Sequence, residues 1–246
     1  MKIIGSDYDG TFNHGGIDDV KKNAIERWRN AGNIFALVSG RGKENVLKLY
    51  EEQRFGCDFL IANNGAVIIK PDGTVVSDIR CDAEIAVPLL KLLFENGCPW
   101  GNIDSEFSFR VYADKENCRD DDDFVLENMP SIPYFNQIST ALPDYETTEK
   151  VTEIIKKEFG YCLNPLQNGT CLDIVRADTD KAKGLYILMD MVGASRDDII
   201  AVGDNMNDRA MIEEFRSYAM QNGVDRLKEL ADYVTSGITE LIEREL

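Results

Sequence analysis

The first apolar run, Lys2-Ile3-Ile4-Gly5-Ser6, is short and ends on acids, as a buried strand running into a polar loop does. The spacing then changes to three and four. Val20, Ala24, Ile25 and Trp28 mark one face of a helix over residues 18–30, and residues 33–38 (NIFALV) read as a second buried strand. Val46, Leu47, Leu49 and Tyr50 repeat the helical spacing over residues 43–53, and residues 59–62 form a third strand. Alternation of short apolar strands with amphipathic helices predicts parallel crossovers and an α/β sheet covered on both faces. Residues 66–69 and 74–76, joined by Pro71-Asp72-Gly73, predict a hairpin.

The pattern shifts between about Cys81 and Asp178. Helical stretches at 83–95 and 145–159 separate β-rich runs at 107–112, 134–139 and 172–175, the signature of a separate α+β unit. Strand and helix then alternate again: a helix over 180–192, a strand at 199–202 and a helix starting near Asn207. The expected organisation is an α/β core, residues 1–80 and 178–246, interrupted by an α+β domain at 81–177.

Composition narrows the function classes. A chain of 246 residues with 43% apolar side chains is long enough for a proper core, as one large domain or two modest ones. A formal charge of -17 opposes nucleic acid and anionic membranes, so any phosphate site has to be local and deliberately electropositive. No run approaches eighteen uncharged apolar residues and the N-terminus has no leader pattern, so a cytoplasmic location is expected. Six scattered cysteines and a single histidine, His14, exclude a structural zinc site, and the cysteines are expected as reduced core filler. The acidic run Arg119-Asp120-Asp121-Asp122-Asp123 reads as a solvated loop or helix start.

Three polar clusters follow apolar strands, at the carboxyl ends where open α/β sheets place ligands. In Asp7-Tyr8-Asp9-Gly10-Thr11, strand alternation aims Asp7 and Asp9 the same way, so that one acid attacks while the other handles a proton. Gly10 allows a tight turn that points backbone N–H groups at an anion. Val38-Ser39-Gly40-Arg41 offers a hydroxyl and the N–H groups of a helix entrance. Gly203-Asp204-Asn205-Met206-Asn207-Asp208 supplies the oxygen-rich donors that suit magnesium. Asp180-Lys181-Ala182-Lys183-Gly184 opens a helix with lysines that the helix dipole disfavours, which points to a role outside local stability.

In this order, the four segments resemble the haloacid dehalogenase-like phosphohydrolase superfamily, and within it the Cof-type phosphatases, which carry a large cap after the second motif. The likeness continues through Ala219-Met220-Gln221-Asn222 and Ala231-Asp232-Tyr233-Val234-Thr235. It implies a Rossmann-like, doubly wound parallel sheet with an inserted α+β cap. It also implies a nucleophile at Asp7 and an acid, then base, at Asp9. Ser39 and a lysine would hold the phosphoryl oxygens, with Gly10, Gly40, Asn64 and Asn207 near the phosphate. Mg2+ would be held by the Asp7 carboxylate, the Asp9 carbonyl and Asp204, with Asp208 in support. The third motif of the family pairs lysine with glycine, whereas here Lys181 precedes Ala182 and Lys183 precedes Gly184. Spacing from the fourth motif and the positions of Leu185 and Leu188 select Lys181, with Lys183 in reserve. The expected cap order is helix, two strands, helix, strand, helix, two strands, and Arg110, Lys115 and Arg176 are candidate substrate contacts within it. The expected activity is Mg2+-dependent hydrolysis of a small phosphorylated metabolite, sugar phosphates first, through an aspartyl-phosphate. A phosphomutase on the same scaffold and a non-catalytic sensor are the alternatives, and oligomeric state is left open.

Overall fold

Ile3–Asp7 is buried at all five positions and forms the strand β1, around which the core sheet is built. The computed structural model describes residues 1–119 and 123–246; Asp120, Asp121 and Asp122 of the acidic run lie outside the described residues. After β1 come α1 (Asp19–Asn30), β2 (Ile34–Val38), α2 (Lys43–Gln53), β3 (Phe59–Ala62), β4 (Val67–Ile69) and β5 (Val75–Asp78). The middle of the chain carries β6 (Cys81–Asp82), α3 (Ala86–Glu95), β7 (Gly101–Asp104), β8 (Ser108–Tyr112), β9 (Phe124–Val125) and β10 (Tyr134–Phe135). It continues with β11 (Gln137–Ala141), α4 (Tyr145–Phe159), β12 (Leu163–Asn168) and β13 (Cys171–Arg176). The last part holds α5 (Lys181–Val192), β14 (Ile199–Gly203), α6 (Arg209–Glu214), β15 (Arg216–Met220), α7 (Asp225–Lys228), β16 (Tyr233–Thr235) and α8 (Ile238–Glu245). Two compact units result, Met1–Ser77 with Asp180–Leu246, and Asp78–Thr179.

In the first unit the strand order is β16-β15-β14-β1-β2-β3-β4-β5. The six strands from β16 to β3 pair in parallel and β4 runs antiparallel to β3, so the hairpin closes one edge of a doubly wound sheet. Alternate residues serve opposite faces. Ile3, Ala36, Val38, Ile61 and Ala201 pack with Ala182, Leu185 and Leu188 of α5 and with Met211 and Ile212 of α6. Gly5 makes that close packing possible, since a Cβ there would lie 2.6 Å from a Leu185 methyl. On α1, Ala24, Ile25 and Trp28 are buried, and the Trp28 Nε1–H donates to the Ile34 carbonyl at 2.8 Å. Val20, assigned to the same face by its spacing, is 62% exposed in the first turn.

The second unit has a six-stranded sheet, β12-β13-β11-β7-β8-β9, and a two-stranded β10-β6 pair. Its core joins Leu89, Leu90 and Leu93 of α3 and Val151 and Ile155 of α4 to Ile103, Phe109, Val111, Ile138 and Ile174 of the sheet. The run 134–139 is two strands rather than one. Asn136 leaves the ladder, donating from Nδ2 to the Ile79 carbonyl at 2.8 Å and from its backbone to Asp104 O at 2.7 Å. The middle helix of the expected order is also replaced: among the described residues, only the one-turn segments Lys115–Asn117 and Leu126–Asn128 and the short β9 and β10 lie between β8 and β11. Phe124, Val125 and Leu126 are consecutive rather than helically spaced, and Pro130 and Pro133 follow, so the segment cannot sustain an amphipathic helix.

Candidate active site

Asp7 ends β1, and Gly203 ends the adjacent parallel strand β14, so the first and fourth motifs emerge side by side. Asp7, Asp204 and Asp208 each offer a carboxylate oxygen, all within 4.8 Å of one another. Lys181 at the start of α5 enters this group: its Nζ donates to Asp7 Oδ1 at 2.6 Å and to Asp208 Oδ1, with both the lysine and Asp208 side chains wholly buried. Asp208 is committed on its other side as well, because Oδ2 accepts the backbone N–H groups of Asp204 at 2.9 Å and Asn205 at 3.2 Å. Asp204 accepts the Thr11 hydroxyl at 2.8 Å. Glycine is required at two points of this packing: a Cβ on Gly203 would fall 2.4 Å from Asp208 Oδ2, and one on Gly10, where φ is +81°, 2.4 Å from Asp204 Oδ2.

The choice between the lysines has a structural explanation. The ammonium against Asp7 is that of Lys181, while Lys183 acts through its backbone, donating to the Asp180 carboxylate at 2.8 Å as part of the helix cap. The glycine cue at Gly184 comes from packing: a Cβ there would lie 2.8 Å from Gly65 Cα.

The second motif sits beside the Asn63–Gly65 turn. Ser39 is buried, its N–H donates to Ile61 O at 2.8 Å, and its carbonyl accepts the Asn64 N–H at 3.0 Å. Asn63 and Asn64 both hold φ near +51°, which asparagine tolerates better than most residues. Gly40 lies in the loop between Ser39 and Arg41. Asn207, the residue before Asp208, has its Oδ1 buried without a hydrogen-bond partner among the described residues.

Asp9 is the departure. Period-two alternation fails because the strand ends at Asp7 and the chain turns through Tyr8–Phe12, leaving the Asp9 carboxylate 57% exposed and outside the three-acid cluster. Arg41 grips it instead, Nε to Oδ2 at 2.7 Å and Nη2 to Oδ1 at 2.8 Å. Arg41, Thr11 and Asn222, whose Nδ2 donates to Gly10 O at 2.9 Å, all contact site segments yet were not singled out in the sequence. Each sits inside or beside a motif, and that adjacency was the available signal.

The electrostatics are those of an over-filled acid pocket. Burial, then the neighbouring Asp208 charge, drives the Asp7 carboxyl well above the ordinary aspartate value, against the pull of Lys181. Burial also raises Asp204, with the Thr11 hydroxyl opposing. For Lys181, burial works against the ammonium, but Asp208 and Asp7 more than reverse it and hold the group charged. Three carboxyl groups crowd one ammonium and present a set of oxygen donors. That donor set fits a hard divalent cation such as Mg2+.

The model of haloacid dehalogenase-like hydrolases matches residues 4–240. A 5-amino-6-(5-phospho-D-ribitylamino)uracil phosphatase of Bacillus subtilis (strain 168) is 23% identical over 273 residues, covering 98% of this chain and 94% of its own. Among solved structures, a haloacid dehalogenase-like hydrolase from Bacteroides thetaiotaomicron aligns with a TM-score of 0.79 at 24% identity, covering 100% of this chain and 99% of the other. A haloacid dehalogenase-like hydrolase from B. subtilis aligns with a TM-score of 0.84 at 19% identity over 100% of both chains. Among the described residues, no helix is long and apolar enough to cross a membrane. With a match running from residue 4 to residue 240, the chain belongs to the haloacid dehalogenase-like hydrolase family.

Proposed function

We propose that the chain is a Mg2+-dependent phosphatase of small phosphorylated metabolites, sugar or sugar-alcohol phosphates first, working through an aspartyl-phosphate on Asp7. The observation that carries this is the buried Asp7 carboxylate at the end of β1, with the Lys181 ammonium 2.6 Å away and Asp204 and Asp208 within reach. A carboxylate attacks phosphorus only when the repulsion between anions is masked. Lys181 supplies one fixed positive charge. A Mg2+ ion held by Asp7, Asp204, Asp208 and the Asp9 carbonyl would neutralise the phosphoryl oxygens.

Asp7 bonds to phosphorus as the ester oxygen leaves with the bonding pair and takes a proton from Asp9. Water then attacks the acyl phosphate and gives its proton to Asp9, releasing phosphate and restoring the Asp7 carboxylate. Ser39, Asn207, Asn64 and the backbone at Gly10 and Gly40 orient the phosphate, and residues 81–177 act as the cap that selects the rest of the substrate. The Bacillus relative is named for a phosphate on a ribityl chain, which favours a primary alkyl phosphate as the substrate type.

The test is phosphate release from p-nitrophenyl phosphate and a panel of sugar and polyol phosphates, with Mg2+ or with chelator. Activity should require the cation, and Asp7→Asn should abolish it. Substantial turnover by that variant would refute the covalent route.

A further inference from the structure

We propose that Arg41 is the positioning residue for Asp9, the group that fixes where the proton-transferring carboxylate stands during turnover. The inference rests on Asp9 being that proton carrier. The Asp9 side chain is 57% exposed and the backbone turns away immediately after it, at Gly10 with φ +81°. The carboxylate is held by the fork of Arg41, one N–H on each oxygen, at 2.7 and 2.8 Å. Two parallel bonds between planar groups leave one orientation, where a lysine would leave many.

The fork is itself anchored. The Arg41 N–H donates to Ser39 Oγ at 3.2 Å, its carbonyl accepts the Asn63 N–H at 2.9 Å, and the guanidinium lies 5.6 Å from the ring centre of the buried Tyr8. Arg41 thereby ties the first motif to the second and to the Asn63–Gly65 turn. An ion pair this exposed contributes little to folding, so its geometry matters more to the site than to the fold.

The pair also follows the proton. As the P–O bond breaks, the ester oxygen takes the bonding pair and the proton of the Asp9 carboxyl, and Asp9 becomes the two-oxygen acceptor that completes the fork. When water attacks the aspartyl-phosphate, one of those oxygens receives its proton and gives up one bond to Arg41, returning Asp9 to the acid form.

A residue that acts through Asp9 matters only as far as the departing oxygen needs a proton. The test compares kcat/KM for p-nitrophenyl, phenyl and benzyl phosphate, three esters of similar size and rising leaving-group basicity, in the wild type and in Arg41→Gln, Arg41→Lys, Asp9→Asn and the Arg41→Gln/Asp9→Asn double variant. General acid catalysis contributes about 100- to 10,000-fold, so Arg41→Gln is expected to cost about threefold or less with p-nitrophenyl phosphate and about thirtyfold or more with benzyl phosphate. Arg41→Lys, with the charge but not the fork, should track the glutamine variant, and Arg41→Gln should add little on top of Asp9→Asn. A uniform loss across the three esters in Arg41→Gln, beside a graded loss in Asp9→Asn, overturns the role of Arg41 alone. A uniform loss in Asp9→Asn overturns the reading of Asp9 on which it rests.

Discussion

Replacing Lys181 with methionine keeps most of the side-chain volume and removes the one ammonium from the acid pocket. The remaining carboxylate oxygens of Asp7, Asp204 and Asp208 lie within 4.8 Å of one another. At that spacing and an effective dielectric constant of about 20, each ionised pair repels by about 3.5 kcal/mol. Breaking a buried ion pair from one side costs about 3–5 kcal/mol, a large share of the about 5–15 kcal/mol that stabilises a typical domain. We expect Lys181→Met to lose about 3–5 kcal/mol in chelator. Added Mg2+ should recover much of it, because the cation binds the folded carboxylates and not the unfolded chain. Removing one of the crowded acids as well should also help, so Lys181→Met/Asp208→Asn should be more stable than the single variant without metal.

Trp28, buried against β2 in the first unit, and Trp100, in the second, are the two tryptophans of the chain. Urea unfolding followed by fluorescence in a Trp100→Phe background therefore reports the Trp28 unit alone. A Lys181→Met variant within about 1 kcal/mol of its parent in chelator, below the loss expected for breaking a buried pair, would refute the electrostatic account.

Glu245 at the end of α8 offers a pH test. Burial pushes its carboxyl up, but the Tyr218 hydroxyl, the Lys2 ammonium and the Arg216 guanidinium outweigh burial and leave it below the ordinary value of 4.5. A depressed value stabilises the fold above the unfolded value and the gain fades as pH falls through the folded one. Glu245→Gln should therefore cost about 1–3 kcal/mol at pH 7, with the difference from wild type shrinking below pH 4.5 in urea melts. Gly184→Ala should lose about 1–3 kcal/mol by thermal or urea unfolding, because its methyl would meet Gly65 Cα at 2.8 Å and an Ile61 methyl at 2.6 Å. Burial pushes the Cys57 and Cys81 thiols up to about 12 and Cys98 to about 11, whereas Cys171 is exposed. Iodoacetamide at pH 8 followed by peptide mass mapping should label Cys171 in the native protein and Cys57 only after unfolding.

Where apolar spacing was clean, the elements were legible in the sequence: residues 43–53, 59–62 and 145–159 are the helix α2, the strand β3 and the helix α4. Strands β7 and β12 were not singled out, since GNID and LNPLQN mix polar residues and proline into short runs that periodicity does not separate from loops. The break at Asn136 was hidden because its partners, Ile79 and Asp104, are distant in sequence. In the site, the motifs bring Asp7, Asp204, Asp208 and Lys181 into one cluster, although 174 residues separate the lysine from Asp7. The Arg41 fork on Asp9 spans 32 residues and obeys no local period, so strand alternation had nothing to register it.

The contact between Gly184 and Gly65 places backbone against backbone, with no side chain between them to act as a cushion. The first turn of α5, which carries Lys181, and the turn that carries Asn64 are therefore parts of one stiff body. A change at Asn63, Asn64 or Gly65 would be transmitted to the ammonium beside Asp7 as a displacement of the whole helix end. The turn is thus a place where an innocuous-looking loop substitution would alter the charge geometry of the pocket without touching any group inside it.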